Sequence, residues 1–121
     1  MEVNPVSFTG YNSKLKTAWK KGLLPTVTKG IYGKVLTEDN ISLEHIVPHS
    51  QGGKTTLNNL FLADAKENSK RGIKPIADFV SEKQLSEYLE QFVGVKAGGF
   101  NGDKYIKQIL KKIEELGGLN H

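Results

Sequence analysis

The sequence predicts a small α+β domain in which two short strands and a short helix form a unit supported by flanking helices. Three features of the sequence lead there. Ile41, Leu43 and Val47 are apolar at a spacing of two, as in a strand with one buried face. Leu60, Phe61 and Leu62 bring the chain back to the core after a turn-rich loop. From Leu85 onward the apolar spacing becomes helical. A chain of 121 residues is long enough for one domain with a modest core and leaves little room for a second.

Residues 1–30 read as a basic N-terminal arm with one helix from Ser13 to Lys21. Leu15, Ala18 and Trp19 give that helix an apolar side, Lys14, Lys16, Lys20 and Lys21 a basic remainder, and Gly22 a stop. The lysines could lie along a DNA backbone; alternatively Trp19 packs on the core and they form a solvated face. Ile31 to Leu36 is a strand-like run leading into the central unit, which spans residues 31–73. There Pro48 ends the first strand because proline donates no ladder hydrogen bond. Ser50 to Thr56, with Gly52-Gly53, has turn composition. Asp64 and Glu67 have capping-box spacing, Gly72 can close the following helix in a left-handed conformation, and Pro75 reinforces the stop.

Residues 74–121 read as helical support. Ser81 and Gln84 repeat the capping-box spacing ahead of Leu85, Tyr88, Leu89 and Phe92. A second helix runs from about Asp103 to Leu116, its stripe formed by Tyr105, Ile106, Ile109, Leu110, Ile113 and Leu116, and Gly117-Gly118 ends it. Gly94 to Gly102 reads as a glycine-rich connector. It follows no strand, so it does not read as a nucleotide-binding loop. Both helices are expected to pack on the central unit, because a two-strand hairpin with one short helix buries too little surface by itself.

Composition narrows the function classes. Hydrophobic residues at 37% and charged residues at 25% are those of an ordinary globular protein, and no apolar run approaches membrane-spanning length. The first residues have no signal-peptide pattern, and the absence of cysteine fits a reducing compartment, so a cytoplasmic location is expected. The net charge of +4 is compatible with a polyanionic partner. Of the 17 basic residues only Arg71 is arginine, the commonest reader of guanine. The chain therefore looks better suited to phosphates than to bases, with weak sequence preference and strong salt dependence.

The chemistry-bearing residues fall between Ser42 and Gly72: Glu44-His45 followed by Ile-Val-Pro, the Gly52-Gly53 loop, Asn59 before the second strand, and Asn68-x-x-Arg71-Gly72 on the helix. Together these elements resemble the HNH endonucleases, whose shared unit is a ββα metal finger. The spacing from His45 to Asn59 and Asn68 is similar to that of the HNH domain of RNA-guided CRISPR nucleases. The resemblance implies a DNA endonuclease, with His45, Asn59 and Asn68 as the three motif residues. Imidazole suits a general base because its ordinary pKa near ~6.5 leaves much of it neutral at neutral pH.

In the family the middle asparagine, here Asn59, helps to hold the loop in shape. Glu44 and Asn68 would hold a divalent metal, magnesium or manganese, through oxygen donors. Many members carry aspartate where this chain has Glu44, one methylene longer. Lys70 and Arg71 read either as a solvated basic helix end or as phosphate contacts, and His49 as an exposed loop residue that could join them. Structural zinc is not expected: cysteine is absent, and Pro48 prevents His45 and His49 from forming a helical pair. Adjacent residues of a regular strand face opposite ways, so Glu44 and His45 can share one phosphate only where the strand ends or twists.

Overall fold

The computed structural model describes residues 15, 16, 19, 29–97 and 99–119. Leu15, Lys16 and Trp19 are helical, with Leu15 fully buried in the core and Trp19 packed against it. The rest of the helix expected from Ser13 to Lys21 lies outside the described residues.

The central unit is an antiparallel pair, β1 (Ile41–His45) and β2 (Leu60–Asp64), with Leu43 opposite Leu62 and His45 opposite Leu60. Helix α1 (Ala65–Arg71) follows β2 directly. Asp64 ends the strand and caps the helix, its side chain accepting the Glu67 backbone N–H at 3.0 Å. Gly72 closes α1 with a positive φ of 58°, but its ψ of −122° takes it outside the left-handed helical region expected of it.

Helix α2 (Glu82–Glu90) begins with a complete capping box between Ser81 and Gln84. The glycine-rich connector that follows holds a small hairpin, β3 (Lys96–Ala97) with β4 (Phe100–Asn101), leading into α3 (Gly102–Glu115). Gly102 is required there, since a Cβ would lie 2.0 Å from the Phe92 carbonyl oxygen. The run from Ile31 to Leu36 is a turn with a single bridge between Lys29 and Val35, not a strand. Its backbone turns at Gly33, φ 83°, and Gly30 approaches β2 too closely for a side chain.

What ties the helices to the central unit is the outer edge of β2. With β1 on one side only, Leu60 and Leu62 aim backbone groups at the helical half, where unpaired they would be costly. The Leu62 N–H donates to the Tyr88 hydroxyl at 2.8 Å, and the Leu62 carbonyl accepts from the Ile31 N–H at 2.8 Å. Tyr105 donates to the Leu60 carbonyl at 2.6 Å, and the two hydroxyls lie 2.9 Å apart. Around them Tyr88, Phe92 and Tyr105 pack edge to face, with Phe92 5.0 Å from Tyr88 and 5.1 Å from Tyr105 between ring centres. The α3 stripe is only partly buried: Ile109 and Ile113 are in the core, whereas Leu110 and, just past the helix, Leu116 are about half exposed. No described helix is long and apolar enough to cross a membrane.

Candidate active site around His45

The loop between β1 and β2 is held by Asn59. Its Oδ1 accepts the Val47 N–H at 2.8 Å, and its Nδ2 donates to the carbonyls of Val47 at 3.1 Å and Lys54 at 2.9 Å. Asn59 is buried with these groups committed, so it shapes the loop and does not face a substrate. Gly53 allows the close crossing, because a Cβ there would sit 1.8 Å from the Val47 oxygen.

His45 ends β1 and is only partly buried. Its Nε2 shares a hydrogen bond with Thr55 Oγ1 at 2.9 Å, and its ring stands edge-on to His49 at 6.2 Å. Burial pushes the imidazole pKa below its ordinary value, and the charges of His49 and Arg71 push the same way. The neutral base is thereby favoured at neutral pH. His49 itself is exposed, in the turn after Pro48.

Glu44 faces a different environment. Strand alternation is kept here: Ser42 and Glu44 both meet α1, through Asn68 and Arg71, while His45 turns to the loop. Glu44 is 2% exposed; its Oε1 accepts from Arg71 Nη1 at 3.0 Å and its Oε2 from the Tyr32 hydroxyl at 2.5 Å. Burial raises the carboxyl pKa, against the pull of Tyr32 and Arg71, and the Tyr32 hydroxyl is itself pushed up by burial.

Arg71 corrects the expectation of a solvated helix end, for it is 1% exposed. Besides Glu44 it donates to the carbonyls of His45 and Ile46, and through Nε to that of Lys74 at 2.7 Å. It fastens the end of β1 to α1 and is not available to phosphate. Lys70 does remain exposed, 3.3 Å from Glu67 in a surface pair of little weight. Asn68 is docked on β1: its Nδ2 donates to Ser42 Oγ at 2.7 Å and to the Leu43 carbonyl at 3.0 Å, and its Oδ1 accepts no hydrogen bond among the described residues.

A divalent metal does not fit Glu44 and Asn68 as they are arranged. Both Glu44 oxygens are occupied, the carboxylate is buried, and a guanidinium at 3.0 Å would repel a cation. The Asn68 carbonyl oxygen is the donor left open. Among the described residues no group of three His, Cys, Asp or Glu is placed to share an ion.

The site thus brings Glu44, Arg71 and the His45 backbone together, docks Asn68 on Ser42 and Leu43, and holds the His45 ring apart with Thr55 and His49. No hydrogen bond joins that ring to Glu44 or Asn68 among the described residues. Sequence reasoning missed Tyr32 and Thr55. Tyr32 stood in an apparent strand, and Thr55 in a loop with no periodicity to mark it. Comparison with known proteins gives no match to any family model, curated protein or solved structure.

Proposed function

We propose that this protein is an endonuclease of the HNH kind, hydrolysing DNA phosphodiesters with low sequence preference. The strand–strand–helix unit serves as its ββα finger. The observation that carries the reading is the state of His45: a half-buried imidazole, disfavoured as a cation, at the end of the first strand of that unit. Such a group takes a proton from water as the water attacks a phosphate. Asn59 and Thr55 hold the loop and ring around it, and Arg71 fixes the backbone that carries it. Of the pair expected to meet magnesium or manganese, Asn68 keeps an open oxygen, while Glu44 supports β1 from within.

Nicking of supercoiled plasmid in magnesium, in manganese and in EDTA tests the reading. His45→Ala should slow cleavage by about 100-fold or more while leaving DNA binding intact. Asn68→Ala loosens the docking of α1 on β1 at Ser42 and Leu43, so it should lower cleavage less than His45→Ala does. Equal cleavage by wild type and His45→Ala removes His45 as the base.

The engagement of Glu44 favours a second reading, a DNA-binding module that retains the finger as a scaffold. Such a protein holds DNA equally well in EDTA and yields no product in any metal.

A further inference from the structure

The same loop borders a pocket of about 530 Å³, lined in part by Gly52, Gly53, Lys54, Thr56, Asn58 and Lys112. No carboxylate lines it. Lys54 comes from the loop and Lys112 from the last turns of α3, so residues far apart in sequence converge on one cavity. Among the described residues neither ammonium has an ion-pair partner. Thr56 Oγ1 donates to Asn58 Oδ1 at 2.5 Å, so the amide's acceptor is occupied and its N–H groups remain as donors.

We infer that this pocket binds a backbone phosphate of the DNA, away from the bond that is cut. Two like charges lining one cavity repel each other, and an anion between them removes that cost. Lysine suits this task as a compact point charge that positions the strand without reading its sequence. The loop links the pocket to His45. Asn59 pins the Lys54 carbonyl, and the next residue, Thr55, bonds the imidazole. A strand seated on Lys54 and Lys112 is therefore held by the segment that also contacts the proposed base.

The inference rests on the DNA-directed reading above, but its test needs no cleavage. Binding of a 20-base-pair duplex is followed by fluorescence anisotropy in EDTA across a salt series. The wild type is compared with Lys54→Gln/Lys112→Gln and with Lys83→Gln/Lys107→Gln, which removes the same charge elsewhere on the surface. Loss of that one phosphate contact should flatten the log–log salt slope by about 0.9 for the first double variant only. An unchanged slope, an equal fall in both variants, or capture of inorganic phosphate without any change in the DNA slope overturns the inference. A wild-type protein that yields no product in any metal overturns the nuclease reading and leaves this slope as it was.

Discussion

In the β1–β2–α1 half of the molecule the buried polar groups include an ion pair, Glu44 with Arg71, alongside Asn59 and Asp64; in the α2–α3 half the buried hydroxyls of Tyr88 and Tyr105 are neutral. Both sets satisfy backbone groups that would otherwise be stranded. Arg71 closes the carbonyls at the end of β1, and the tyrosines close the outer edge of β2. Their costs of failure differ. A lone buried charge has no cheap alternative to its partner, whereas a lost hydroxyl leaves a neutral donor or acceptor. The half carrying the proposed base is thus held by the less forgiving device, which fixes the His45 backbone rigidly.

Arg71→Ala breaks that device and should have the largest effect. Removing one member of a buried pair costs about 3–5 kcal/mol, and here three carbonyls lose a donor as well. Urea unfolding measures it. Arg71→Lys should recover little, since an ammonium cannot span Glu44 and two carbonyls as a planar fork does. Replacing both Glu44 and Arg71 by Met should cost less than Arg71→Ala alone. A single-variant loss below about 1 kcal/mol would mean the pair is no more than a surface-type contact.

Tyr88→Phe probes the other half and should cost less, about 1–3 kcal/mol, as the Leu62 N–H loses its acceptor while the ring packing stays. Equal losses at Tyr88 and Arg71 would erase the distinction between the two halves.

The same contrast explains what the sequence disclosed. Both strands, the caps at Asp64 and Ser81 and both supporting helices were legible because local periodicity and capping specify them, although β1 stops at His45 and does not run through Val47 to Pro48. The hairpin inside the glycine-rich connector was not, since two-residue strands carry no period. Nor was the turn after Gly30, whose Ile31 N–H bonds β2, because that contact is made across the fold. The His45–Asn59–Asn68 spacing led to the proposed reading of the unit, but the use of Glu44 depends on Tyr32 and Arg71, both distant in sequence. One signal was available: the single arginine among 17 basic residues is buried, as a planar guanidinium suits an interior ion pair.

The smallest effect sharpens the comparison at His45 itself. Its pKa lies below the ordinary imidazole value, first through burial and then through His49 and Arg71. The unfolded chain, with an ordinary imidazole near ~6.5, therefore takes up this proton more readily than the folded protein. The resulting contribution to stability is full above the ordinary value and is lost as pH falls through the lowered one. For the same reason the acidic limb of the cleavage–pH profile should lie below the ordinary histidine range. His49→Gln removes one of the charges pressing on the ring, so the limb should move toward higher pH without a change in the plateau rate. Rates on plasmid from pH 5 to 8 decide the matter, with DNA binding measured at each pH to separate protonation of the base from tighter binding in acid. A limb at or above the ordinary value, unmoved by His49→Gln, would detach His45 from the rate and leave Arg71 fastening a strand end that does no chemistry.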